Sequence, residues 1–102
     1  MAAYLVVDIQ RITDEQRYEQ YKTKVSPDLL AAGGQYLARG GAIDVLEGDW
    51  HPSRLVIVRF ESSASARRWW ESQAYEPLKQ MRQASTTTRM VLVEGVAEGD
   101  QR

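Results

Sequence analysis

Apolar and polar positions along this chain follow two rhythms. Residues 3–9 are apolar and rich in β-branched side chains, which predicts a strand. Leu5, Val7 and Ile9 fall on one of its faces, and Tyr4, Val6 and Asp8 on the other. Tyr18, Tyr21 and Val25 then recur at helical spacing among Arg17, Glu19, Gln20 and Lys22. Thr13 with Gln16 fits a capping box at the start of that helix. Ser26-Pro27 interrupts it, so a second short helix or a kinked continuation is expected to about Ala32, stopped by Gly33-Gly34. Residues 35–39 read as a strand, Gly40-Gly41 as a bend or bulge, and residues 43–46 as a short continuing strand. Residues 47–53 form a turn, and residues 54–60, RLVIVRF, give the clearest strand of all. Ser62 or Ser63 caps a helix that carries Ala66, Trp69 and Trp70. Tyr75-Glu76-Pro77 breaks it, Leu78 and Met81 continue on a second segment, and residues 89–94 form the last strand.

The element order is β-α-β-β-α-β, an α+β plan of the ferredoxin-like kind: an antiparallel sheet with the helices on one face. A single domain over residues 1–96 with a polar tail over 97–102 accommodates it. The strands YLVVDI, LVIVRF and MVLVEG do not alternate apolar with polar, as a sheet with one wet face should. Two helices cover one face, and nothing else in 102 residues covers the other. The expectation is a homodimer in which the second face packs on its own copy, a dimeric α/β barrel.

Charge and composition narrow the partners. The net charge of -1 with 26% charged residues gives no basic excess for nucleic acid. No apolar run approaches the ~20 residues of a membrane span. The segment MAAYLVVDIQ runs straight into strand and lacks a signal-peptide pattern, so the expected location is cytoplasmic. Zero Cys excludes disulfides and thiol catalysis. One His cannot build a facial triad, and nothing beyond His51 speaks for a haem ligand, so no metal and no cofactor are expected.

Candidate chemistry sits where polar groups interrupt apolar faces. Asp8 follows four apolar residues, and a carboxylate there needs a partner. Arg39 and Arg59 lie on neighbouring strands, with Glu94 the corresponding acid on the last strand. One reading is a polar pocket in which an arginine holds an anionic or carbonyl-bearing substrate and Asp8 or Glu94 orients it or takes a proton. The other is a structural ion-pair network at the dimer seam. His51 lies in a turn between Trp50 and Pro52, where exposure is the usual state. Trp50 and Tyr75 either fill core and interface or wall a small apolar cavity to which Tyr36 offers a hydroxyl. The catalytic candidates are Asp8, Arg39, Arg59 and His51; the ligand-binding candidates are Tyr36, Arg39, Trp50, Tyr75 and Glu94. Two functions stay open: a dimer that binds or transforms a small organic molecule between sheet and helices, or a non-catalytic accessory dimer whose inward charges are structural.

The segments YLVVDI, YEQYK, GGQYLARGG, LEGDW, RLVIVRFES, A-x-x-W-W-E-S-x-x-Y and MVLVEG together resemble the domain-of-unknown-function 1330 family of the dimeric α/β-barrel superfamily. The likeness spans residues 3–95 with the motifs in order. It implies a ferredoxin-like barrel dimer. It implies no catalytic residue, because that family has no settled activity. Cousins in the superfamily include small cofactor-independent monooxygenases and haem-binding or haem-degrading enzymes.

Overall fold

The computed structural model describes residues 1–97 and 99–101. Four strands form, β1 (Ala3–Ile12), β2 (Gln35–Arg39), β3 (Arg54–Phe60) and β4 (Thr86–Glu94), with helices α1 (Glu15–Ala31), α2 (Ser63–Trp70) and α3 (Glu76–Ser85). The strands pair antiparallel in the order β2-β3-β1-β4, which is the ferredoxin-like topology. Its second helical crossover is split in two. The Ser72 hydroxyl makes the break, donating to the Trp69 carbonyl at 2.7 Å and accepting from the Tyr75 amide at 3.1 Å. Of the polar tail expected over residues 97–102, Glu98 and Arg102 lie outside the described residues.

The helices cover one face of the sheet. Leu5, Val7 and Ile9 of β1 and Val58 and Phe60 of β3 meet Tyr18, Tyr21, Val25 and Leu29 of α1 there, with Trp69 and Tyr75 closing the far side. Each such side chain contributes about 1.5–3 kcal/mol through burial. Adjacent Trp69 and Trp70 divide as helical geometry requires. Trp69 enters the core and donates to Asp28 at 2.9 Å, while Trp70 packs at the rim under the Lys79 ammonium, 3.6 Å from its ring centroid. Trp70 therefore stays on the helix side and does not reach the opposite face.

Among the described residues no helix or strand covers the opposite face. The molecule is a slab 43 × 36 × 17 Å, and Leu37, Val91 and Val93 stand 52%, 61% and 49% exposed upon it.

Local chemistry moves several element ends from where the sequence pattern puts them. Asp14, not Thr13, caps α1: its side chain accepts from the Arg17 amide at 3.1 Å. Thr13 and Asp14 both give their amides to the Ser85 carbonyl, so Thr13 still belongs to the strand side of the junction. β1 accordingly runs on to Ile12, past a register shift between Ile9 and Arg11, and β4 begins at Thr86. α1 continues unbroken through Pro27. The Lys22 carbonyl, a turn before the proline, accepts from the Ser26 hydroxyl and the Arg39 guanidinium, both at 3.2 Å. Gly33, at φ +92°, then ends the helix, with the Gly33 amide on the Leu30 carbonyl and the Gly34 amide on that of Leu29.

Residues 43–46 form no strand. Gly40, at φ +69°, bends the chain while its amide still reaches the Leu55 carbonyl at 2.8 Å, and beyond it the backbone leaves the sheet. The bulge expected at Gly40-Gly41 lies earlier, between Tyr36 and Ala38. Residues 41–53 thus make an arm rather than a strand and turn, because Ile43 and Val45 have no neighbouring strand to pair with.

The start of α2 offers a direct check. Ser62 accepts from the Ser65 amide and Ser65 returns the bond to the Ser62 amide, a complete capping box. Ser62→Ala is expected to lower the unfolding free energy by about 1 kcal/mol in urea titration.

Candidate functional site

Strand alternation assigns the candidate side chains to two separate faces. β1–β3 pairing sets Tyr4 against Arg59, Val6 against Ile57 and Asp8 against Leu55, all on the uncovered face. The bulge at Leu37 changes the parity of β2, so that Tyr36 and Arg39 pair with Val58 and Val56 on the helix face. Tyr75 is wholly buried in the core. Glu94, also on the helix side, accepts from the Ser63 hydroxyl at 3.1 Å. The structure therefore brings Tyr36, Arg39 and Tyr75 to one site and Asp8, Trp50 and His51 to another, with the sheet between them. Arg59 stands apart from both, at the far end of the uncovered face.

On the helix face a narrow hollow of about 40 Å³ runs from the exposed Arg39 inward to Tyr75 and Arg82. It has room for a few waters. Four tyrosines line it, Tyr18, Tyr21, Tyr36 and Tyr75, and so do Lys22, Arg39, Arg54 and Arg82; no Asp or Glu does. Arg39 lies over the Tyr36 ring, 4.4 Å from its centroid. Arg54 donates through Nε to the Tyr18 hydroxyl at 2.9 Å. At the deep end Arg82, 5% exposed, donates through Nε to the Tyr75 hydroxyl at 3.3 Å, and the Tyr75 and Tyr21 hydroxyls are 3.0 Å apart. Among the described residues none of the three guanidiniums pairs with a carboxylate on this face; Lys22 has Glu19 at 2.8 Å, outside the hollow. Burial pushes the Tyr21 phenol far above its ordinary value, with the Tyr75 phenol beside it adding to the rise and Arg82 opposing it. Tyr21 thus stays a neutral hydroxyl, able to donate.

On the uncovered face Asp8 is 6% exposed. Its Oδ2 accepts from the Trp50 indole Nε1–H at 3.0 Å, which fastens the arm of residues 41–53 to β1. Its Oδ1 is buried and has no hydrogen-bond partner among the described residues. Arg89 stands opposite Asp8 in the β1–β4 register and forms no ion pair with it or with any other described residue. Between arm and sheet lies an open hollow of about 770 Å³ that Asp8, Gln10, Trp50, His51, Arg89 and Val91 border. His51 itself is exposed. Among the described residues no three His, Asp or Glu side chains gather as a metal site would require, and no helix is long and apolar enough to cross a membrane.

Arg54, Arg82 and Tyr18 belong to the first hollow but are absent from the candidates read off the sequence. A signal for them exists. Arg54 has the same parity as Val56, Val58 and Phe60, and Arg82 lies four residues beyond Leu78 on the helix stripe that faces the core.

Two outcomes follow from this geometry. Trp50→Phe removes the only described donor to Asp8, so a loss of about 2 kcal/mol is expected in chemical unfolding. Tyr21 is neutral in the folded protein and ionises near pH ~10 once unfolded. The stability it lends is therefore complete below that pH and falls as pH rises above it. The urea midpoint is expected to drop between pH ~9 and ~11, and to drop less in Tyr21→Phe.

Comparison with known proteins gives the chain its relatives. No functionally curated protein matches it. A protein of unknown function from Rhodopseudomonas palustris superposes with a TM-score of 0.76 at 17% identity, over 94% of this chain and 83% of that one. A dimeric ferredoxin-like protein of unknown function from Jannaschia sp. CCS1 gives 0.74 at 13% identity, over 93% and 100%. SnoaB, a cofactor-independent oxygenase from Streptomyces nogalater, gives 0.67 at 14% identity, over 94% of each chain. At such identities the likeness is one of fold. The family model of the domain of unknown function DUF1330 matches residues 2–96, nearly the whole length, and the chain belongs to that family.

Proposed function

We propose that this protein is a homodimer that binds a small organic anion in the hollow between sheet and helices. The observation that carries the reading is the charge of that hollow. Lys22, Arg39, Arg54 and Arg82 line it, and no acidic side chain does. A guanidinium as buried as Arg82 loses several kcal/mol of hydration unless an anion or a full set of acceptors replaces the water. Tyr75 supplies one acceptor. A carboxylate or enolate oxygen would supply the rest, since arginine presents a fork that matches two oxygens at once. Tyr18, Tyr36 and Tyr21 would line the remainder of such a ligand with ring faces and hydroxyls.

The enclosed space is smaller than the ~300 Å³ of a typical ligand pocket. Entry therefore requires the Arg39 side of the mouth to open. Arg39 is exposed and held by a stack on Tyr36 and one bond to the Lys22 carbonyl, contacts that a side-chain rotation releases. The homodimer half of the reading rests on the uncovered face with its exposed Leu37, Val91 and Val93. The Jannaschia protein, a dimer, lends precedent for that half through fold alone. A purely accessory dimer with structural inward charges would engage Asp8 with both Arg39 and Arg59, and Arg39 instead lies across the sheet from Asp8, among the cations of the hollow.

The test uses a ligand series with a charge control. Acetate, butyrate and benzoate are expected to raise the thermal midpoint in increasing order, while benzamide, of the same shape without the charge, leaves it unmoved. Arg54→Gln should abolish the benzoate shift while retaining the fold. Equal shifts from benzoate and benzamide, or none from any anion, would remove the reading.

A further inference from the structure

On the uncovered face one carboxylate is left half satisfied. Asp8 is nine-tenths buried; Trp50 fills Oδ2, and no described residue donates to Oδ1. An acceptor of this kind is expensive to bury unless a donor reaches it. The cation nearest in register, Arg89, borders the same hollow and makes no bond to it. On the same face, at the opposite end of β1, Arg59 sits across from Tyr4 and has no described side-chain partner either. An unpaired base and an unpaired acid thus occupy the two ends of one apolar sheet face.

We infer that Arg59 of a second copy enters the hollow beside Trp50 and pairs with Asp8. The inference rests on the homodimer proposed above, and adds which groups meet and in which direction the two-fold axis runs. In a two-fold interface every contact occurs twice with the roles exchanged. An axis running across the strands lays the Arg59 end of one sheet over the Asp8 end of the other and makes two equal pairs. An axis running along the strands would set Asp8 near Asp8 and Arg59 near Arg59, a like-charge arrangement that opposes association. Shape agrees with charge. The Asp8 end carries an open hollow of about 770 Å³, and the other end carries the long side chains Tyr4 and Arg59. Asp8 would then serve two chains at once, holding its own arm through Trp50 and its partner through Arg59.

A cross-link decides the matter, because the natural chain has no cysteine. Asp8 and Arg59 are about 13 Å apart within one sheet, by four residues of strand rise, and no disulfide spans more than about 7 Å between Cα atoms. Facing sheets pack about 10 Å apart, beyond disulfide reach, so the variant carrying both Asp8→Cys and Arg59→Cys is treated with a bifunctional thiol reagent of about that length, shorter than the separation within one sheet; it is expected to run as a covalent dimer on denaturing gels, and each single variant as a monomer. Absence of the band from the double variant, or an equal band from Asp8→Cys alone, overturns the pairing. Where loss of Asp8 prevents folding, Arg59→Glu provides the second measurement: its dimer is expected to dissociate about tenfold or more readily in sedimentation than the parent's. A folded Arg59→Glu that dimerises like the parent overturns the pairing too. A parent that sediments as a monomer at micromolar concentration fails the homodimer reading itself. A dimeric parent without the cross-link fails only the Asp8–Arg59 assignment.

Discussion

Because side chains alternate along a strand, β1 has to satisfy two environments at once, and the rest of the molecule is arranged around that demand. Its odd positions, Leu5, Val7 and Ile9, are sealed by the helices. Its even positions, Tyr4, Val6 and Asp8, face outward, where the single chain offers only a hydrogen bond from the arm. The helix layer buries Tyr18, Tyr21, Val25, Leu29, Ala66 and Trp69 against the odd side, and among the described residues no second layer forms over the even side. This constraint gives the slab its 17 Å thickness. It also separates the polar groups into an inner set rich in cations and an outer set around one carboxylate.

The inner set is unusual for its one-sidedness. Buried ionic groups in a small domain ordinarily neutralise each other. Here phenols take the place of carboxylates: Tyr18 accepts from Arg54 and Tyr75 from Arg82. A phenol oxygen is a neutral acceptor and leaves the positive field of the site intact. That field, with neutral hydroxyls around it, is what a negatively charged oxygen would meet on entering. Nothing in the ferredoxin-like plan calls for this arrangement. It resides in particular side chains placed upon the plan.

Much of the architecture was legible from patterning. The runs around Leu5 and Val56 and the tyrosines of α1 have periods that long-range packing did not override. What misled was local. Ile43 and Val45 look like strand residues, yet a strand exists only beside a partner, and Gly40 turns the chain away from the one available. Thr13 and Asp14 are both good caps, and the Ser85 carbonyl decides between them. The site suffered most from one extra residue. The bulge at Leu37 moves Arg39 to the opposite side of the sheet from Asp8, and no pairing count made on sequence alone reveals such a shift. Arg54 and Arg82 were overlooked because a charge at the start of a strand or within a helix is ordinarily read as exposed, even where its spacing belongs to the apolar stripe.

The position of β1 also governs how the chain can assemble. β1 is the first strand in the sequence, and both its neighbours come late: β3 pairs Ala3 with Phe60, and β4 pairs it with Glu94. Its ladder with β4 therefore closes nearly the entire chain into one loop before any of those hydrogen bonds is gained. Loop closure of that length is entropically slow, and topologies dominated by such distant pairings fold late. During synthesis the apolar strand YLVVDI emerges before both β3 and β4 and waits for them. The central strand of this fold thus stays unpaired until residues some fifty positions downstream of it have been made.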